Sequence, residues 1–401
     1  MSASWLTDDT KANLRQCAQA MSAPGKGFLA SDESAGPWLR AGNVDAKKIP
    51  DTAENRAAYR SMLYKTPDLS EHISAVILHW ETLFQSDADG NKMIDLINSA
   101  GIIPGIKLDQ GYDKLGIPGT AVGPLGHPET WCKGIDSLDK RAAEAYAQGA
   151  RFAKWRNVLQ IDPANGLPSE LAIKVCVDNL AQYAAICQRN GLVPIVEPEI
   201  VPNGGHDIQT CAAATEKVLV AQFAALKQHG VYLEGAVLKP NMVKNGLEGP
   251  RATAEEVATA TMTVLQRTVP PALPGIFFLS GETRLDEDNE EMATLNLNAM
   301  NKLFTSTPWH VSFSYGGAQN LLDCWFEDGF PRRALCRRYG KALQKTCIVT
   351  WMGKHDNVAA AQAALANRAK ANSQACQGTY VAGSCASIGA AGNVQMQGGA
   401  Y

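Results

Sequence analysis

Short, nearly continuous apolar runs recur along this chain at spacings of roughly 30 to 45 residues, most with a helical pattern behind them. The runs cover 27–31, 75–79, 102–107, 151–156, 192–199, 235–239, 275–280 and 310–315. Runs that are apolar on both faces suit parallel strands covered by helices on both sides. Eight such strand–helix units predict an α/β protein built as a single (β/α)8 barrel, slightly long in its repeat. A doubly wound open sheet is the alternative. No Gly-rich dinucleotide fingerprint follows the first run, which weighs against it.

Helical periodicity falls at 7–21, 54–65, 92–99, 137–148, 169–190, 210–229, 253–267 and 289–303, with a helical remainder to about residue 372. Thr7, Ser137 and Ser169 suit N-caps, and Gly149 and Gly191 suit stops. No linker divides the chain before about residue 373, so residues 1–372 are expected to form one domain. Residues 373–401 are small and polar and read as a flexible tail ending on Tyr401.

The strand ends carry the chemistry. Asp32, Lys107, Lys154, Arg156, Glu197, Glu199, Lys239, Ser280 and Tyr315 all fall at or just beyond the C-terminal ends of apolar runs. In a (β/α)8 barrel those ends converge on one face. Alternation places Lys154 with Arg156, and Glu197 with Glu199, toward the barrel interior. Charges pointing inward are costly unless they pair or serve a reaction. The run Gly235-Ala-Val-Leu-Lys-Pro-Asn-Met242 ends on Lys239, with Pro240 stopping the strand. A lone strand-end lysine more often faces solvent. A buried lysine made neutral is a nucleophile for carbonyl carbon and forms Schiff bases. A carboxylic acid nearby supplies and removes the protons that expel water from the carbinolamine. Like-charge repulsion from Lys154 is expected to help hold Lys239 neutral. Lys107, Arg156 and the Ser280-Gly281 backbone suit phosphate.

Composition closes off other classes. The chain has 401 residues, 45% hydrophobic and 19% charged, so a large core is affordable. A net charge of -3 gives no reason to expect nucleic acid or an anionic membrane as partner. Ten cysteines without CxxC spacing read as reduced thiols in a cytosol-like compartment. The acidic N-terminus shows no secretory or transit pattern, and no apolar run approaches about 20 residues.

The ordered motifs closely resemble class I fructose-1,6-bisphosphate aldolases over about 5–372. They include Ala23-Pro-Gly-Lys-Gly-Phe-Leu-Ala-Ser-Asp-Glu-Ser34, Phe152-Ala-Lys-Trp-Arg156, Val193-Pro-Ile-Val-Glu-Pro-Glu199, Leu233-Glu-Gly-Ala-Val-Leu-Lys-Pro-Asn-Met242, Phe278-Leu-Ser-Gly281 and Phe313-Ser-Tyr-Gly316. The resemblance implies a lyase that cleaves fructose 1,6-bisphosphate reversibly to dihydroxyacetone phosphate and glyceraldehyde 3-phosphate. It implies Lys239 as Schiff-base lysine, Glu197 as acid/base and Glu199 as its positioner. Asp32 would take the substrate hydroxyl proton, Lys154 support the charge changes, and Arg156 and Lys107 line the substrate path. Ser280 and Gly281 would hold the 1-phosphate, with Ser34 and Arg40 also near phosphate. Tyr401 would assist proton exchange on the enamine. No metal or other cofactor is implied, and a homotetramer is.

The chain departs from the family pattern at phosphate positions. Gly317 stands where the family has arginine, Glu282 follows Ser280-Gly281 in a lengthened loop, and Pro37 and Ala41 replace a serine and a base. Charged hydrogen bonds contribute roughly 1.5 to 3 kcal/mol each. Compensation by Arg284 is one expectation. A Schiff-base lyase with shifted phosphate preference and a non-catalytic binding protein of this fold are the alternatives.

Overall fold

The computed structural model describes residues 3–32, 49–116, 121–280, 289–316 and 342–385. Its strands are β1 (Gly27–Ser31), β2 (Ile73–Leu78), β3 (Ile103–Lys107), β4 (Tyr112–Lys114), β5 (Thr130–Cys132), β6 (Phe152–Leu159), β7 (Val193–Ile200), β8 (Val237–Leu238), β9 (Gly275–Phe278) and β10 (His310–Gly316). Eight of them close into a barrel in the order β1-β10-β9-β8-β7-β6-β3-β2, with neighbouring pairs parallel. These are the eight expected runs, so the closed barrel holds and the open sheet does not. Helices stand between most of them, among them Ala53–Tyr64, Glu170–Arg189, Ile208–Gln228, Ala254–Thr268 and Asn289–Leu303.

Strand alternation builds two cores. Leu29, Val76, Leu78 and Trp155 face outward and pack with helix residues such as Leu63 and Leu180. Phe28, Ala75, Ile77, Phe152, Ile195, Val237 and Phe277 belong to a second, inner cluster. Phe28 stacks on Phe277 with ring centroids 3.7 Å apart. Leu14, Ala18 and Met21 of the helix Asp8–Met21 join that cluster and close the end of the barrel where the strands begin. Gly105 is required on β3, because a Cβ there would lie 2.3 Å from the Phe152 ring. Each fully buried large apolar side chain contributes about 1.5–3 kcal/mol. The apolar inner layers therefore support the charged layer above them.

The Thr7 and Ser169 hydroxyls cap their helices by accepting from the Thr10 and Ala172 N–H groups. Ser137 does not cap. Its backbone, at φ -106 and ψ 3, is not extended, and its hydroxyl accepts from Arg141 instead. The expected run 235–239 is shorter as a strand, because Leu233–Gly235 form a turn of 3-10 helix. Lys239 nevertheless stays on the ladder, its N–H donating to Val196 O at 2.8 Å. The antiparallel ribbon β4–β5 has no counterpart in the sequence reading, since three-residue strands carry no periodicity. The expected boundary at 372 also moves. The helix Val358–Cys376 runs through it, and Tyr380 is buried, its hydroxyl donating to Glu291 at 2.8 Å. Small residues there pack as helix and loop, so residues 373–385 are not a loose tail.

Candidate active site

Parallel register carries the inward-facing strand ends to one level. Lys107 of β3 lies opposite Lys154 of β6, and Arg156 opposite Glu197 of β7. Six charged residues expected at the site are almost wholly buried: Asp32 at 1% exposure, Lys154 1%, Arg156 2%, Glu197 0%, Glu199 5% and Lys239 4%. Such burial is tolerable only because they pair.

They pair in two groups. Lys154 Nζ donates to Asp32 Oδ2 at 2.9 Å and lies 3.0 Å from Glu197 Oε2. The other oxygen of Glu197 lies 3.1 Å from Lys239 Nζ. Glu197 thus bridges the two lysines, and the four charges cancel. Both Glu197 contacts are ion pairs by distance but lack hydrogen-bond geometry, so among the described residues neither carboxylate oxygen has a well-directed donor. Loose alignment of this kind is common in acid/base groups before substrate binds. The second group is Arg156, whose Nε donates to Glu199 and whose Nη1 donates to the Tyr112 hydroxyl at 3.3 Å.

Burial pushes the Glu197 carboxyl up, yet Lys154, Lys239 and Arg156 together outweigh it and hold it below its ordinary value. Asp32 behaves likewise. Burial raises it, and Lys154, Lys239 and Lys107 bring it well below the usual carboxylate range. Burial opposes the charge on Arg156, but Glu199, Tyr112 and Glu197 more than compensate.

The expectation of simple repulsion between the two lysines changes in this geometry. Lys154 acts on Lys239 with a shared carboxylate between them. Arg156 is likewise not an open phosphate ligand, being clamped by Glu199 and Tyr112. Lys107 keeps more exposure, with 18% of its side chain open, and pairs with Asp109 at 3.2 Å. Ser280 follows β9 and lines a cavity of about 60 Å³ beside Asn241, Lys244 and Asn296. That cavity does not reach Lys239 or Glu197, so it adjoins the charged centre without being it. Tyr315 points outward, its hydroxyl donating to Ala293 O, and takes no part in the site. Ser34, Arg40, Gly281, Arg284 and Tyr401, like the departures Pro37, Ala41, Glu282 and Gly317, lie outside the described residues. Among the described residues no group of three or more His, Cys, Asp or Glu side chains could hold a metal ion.

Two participants escape the strand-end reading. Tyr112 sits on the unexpected ribbon, and no local signal marks it. His79 ends its apolar run as Asp32 and Lys107 end theirs, so the same census could have found it. Burial, with Arg60 and Lys107 adding to it, pushes His79 down to about 4.

The profile of the class I fructose-bisphosphate aldolases matches residues 13–328 and 331–401. Fructose-bisphosphate aldolase 1 of Toxoplasma gondii is 45% identical, over 96% of this chain and 95% of its own. The cytosolic fructose-bisphosphate aldolase 5 of Arabidopsis thaliana is 43% identical over 97% of each chain. Among solved structures, the Plasmodium falciparum aldolase in complex with TRAP and a small-molecule inhibitor superposes with a TM-score of 0.82. It is 44% identical, and the match covers 94% of this chain and 98% of that one. A barrel whose strand ends join Lys239 to Glu197, Lys154 and Asp32, and relatives matched along almost their whole length, lead to one conclusion: the chain belongs to the class I fructose-bisphosphate aldolase family.

Proposed function

We propose that Lys239 is the nucleophile of this aldolase and that Glu197 is its acid/base partner. The observation that carries the reading is the 3.1 Å contact between Lys239 Nζ and Glu197 Oε1. Passing one proton across that contact leaves a neutral amine beside a protonated carboxyl, the two forms that carbonyl addition needs. The amine adds to the C2 ketone of fructose 1,6-bisphosphate. Glu197 protonates the departing hydroxyl, and water leaves as the iminium forms. Asp32 then takes the proton of the C4 hydroxyl. The C3–C4 bond breaks, its electron pair moves toward the iminium as an enamine, and glyceraldehyde 3-phosphate departs. Protonation at C3 and hydrolysis release dihydroxyacetone phosphate and restore Lys239.

The remaining roles follow the same division. Lys154 compensates the carboxylates as protons move, and Glu199 with Arg156 positions the strand that carries Glu197. Ser280 and Gly281 receive the 1-phosphate, and Arg284 supplies a positive charge there. Lys107, Ser34 and Arg40 serve the substrate path, and Tyr401 assists proton exchange. The reading extends to a homotetramer in the cytosol. Support for the compartment comes from relatives whose names call them cytosolic or cytoplasmic. No described helix is long and apolar enough to cross a membrane.

Borohydride reduction in the presence of dihydroxyacetone phosphate tests the nucleophile. One adduct mapping to Lys239, lost in Lys239→Met, is the expected outcome. An adduct elsewhere, or none, overturns the assignment. Arg284→Ala tests the phosphate role. The expected result is a loss of about tenfold in kcat/KM on fructose 1,6-bisphosphate, and an unchanged value removes Arg284 from the site.

A further inference from the structure

His79 occupies the same level of the barrel mouth as the charged centre. Ser31 pairs with Leu78, and Leu78 with Ile106, so the next residues, Asp32, His79 and Lys107, stand side by side on three adjacent strands. Ala75 and Ile77 belong to the inner cluster while Val76 and Leu78 belong to the outer one. The backbone of His79 remains extended, at φ -78 and ψ 150, so the alternation carries its side chain inward as well. Arg60, Lys107, Glu81 and Asp32 all lie close enough to bias its charge.

The ring orientation is set locally. Nδ1 accepts the Glu81 N–H at 3.3 Å, which leaves the ring proton on Nε2. Among the described residues Nε2–H has no hydrogen-bond partner. Its position round the barrel is informative. In the closed order, β2 stands four strands from β8 in either direction, directly across from the strand that leads to Lys239. On the reading that Lys239 binds the second carbon of the substrate and the end of β9 its 1-phosphate, the other half is expected to cross the mouth toward β1, β2 and β3, the strands farthest from β8 in the closed order.

We propose that His79 is a further substrate-contacting residue of this enzyme, donating its Nε2–H to a hydroxyl or aldehyde oxygen of the glyceraldehyde 3-phosphate half. The inference rests on the reading of Lys239 as the nucleophile. The oxygen on C4 changes from hydroxyl to aldehyde during cleavage. A neutral N–H donor on that side orients the aldehyde for the reverse condensation without adding a charge to a balanced cluster.

The two half-reactions separate this role from a structural one. Dihydroxyacetone phosphate alone tests Schiff-base formation, and condensation with glyceraldehyde 3-phosphate tests the aldehyde half. His79→Asn keeps an acceptor for the Glu81 N–H but withdraws the distal donor. His79→Gln carries an amide N–H to the distal position. In His79→Asn, kcat/KM for condensation is expected to fall about tenfold, with borohydride trapping by dihydroxyacetone phosphate within about twofold of the parent. His79→Gln is expected to recover at least half of the lost condensation on a logarithmic scale. Unchanged condensation in His79→Asn, or parallel losses of both rates in both variants, overturns the inference. A parent protein that traps no dihydroxyacetone phosphate overturns the Lys239 reading, and this inference with it.

Discussion

Glu197 is the residue on which the buried charges balance. It faces Lys154 with one oxygen and Lys239 with the other, so removing its charge takes from both ammonium groups the carboxylate they share. Glu197→Gln preserves the shape and removes both the charge and the transferable proton. We expect kcat to fall by about 10²–10⁴-fold, the usual range for a lost acid/base. The rate of borohydride trapping should fall with it, since Glu197 acts in forming the imine. Trapping at the parent rate with slow turnover would move Glu197 out of that step.

At the scale of elements, the ribbon β4–β5 is tied to the barrel through the side chains of Asn179 and Asn157. Asn179, on the helix Glu170–Arg189, accepts from Trp155 Nε1 at 2.8 Å and from Asn157 Nδ2 at 2.9 Å, and it donates to Cys132 O at 3.1 Å. Asn157 in turn accepts the Cys132 N–H at 3.0 Å. Asn179→Ala leaves the buried Trp155 Nε1–H on β6 without its acceptor and Cys132 O without the amide that donates to it. The expected cost is about 3 kcal/mol of stability, read as a lower midpoint in denaturant. Tyr112 rides on the same ribbon, so Arg156 should loosen and kcat/KM should fall as well. Sequence reading found the helix and its Ser169 cap, because periodicity and capping are local. It did not find the ribbon, whose short strands are held by side chains from elsewhere in the chain. Ser137 failed as a cap for a related reason: residue type permits a cap, but backbone conformation decides it.

At the scale of the whole molecule, acid should weaken the fold before the carboxylates titrate. Burial lowers His72, His79, His127, His206 and His310 below the ordinary histidine value. The unfolded chain binds protons at these residues from about pH 6.5 downward, while the folded chain resists them. Their contribution to stability is therefore complete above about pH 6.5 and is lost as pH falls toward the folded values, near 4 for His79. Asp32 and Glu197, also lowered, add a second loss at still more acid pH. A Tm about 5 °C lower at pH 5 than at pH 7 is expected. A flat profile over that interval would show that these histidines titrate alike in both states.

What the sequence determined by itself was the barrel and the level at which its chemistry sits. Apolar runs of strand length, each ending on a reactive or charged side chain, can be read locally, because side-chain direction alternates with a period of two. Pairing was decided only by the tertiary structure. Lys154 meets Asp32 across 122 residues of chain, and Glu197 stands between two lysines, because closing the ring brings particular strand ends together at particular register. The same closure clamps Arg156 between Glu199 and Tyr112 and sets His79 across the mouth from Lys239. No local pattern encodes which side chains will face one another over a closed barrel, since that depends on all eight strands at once.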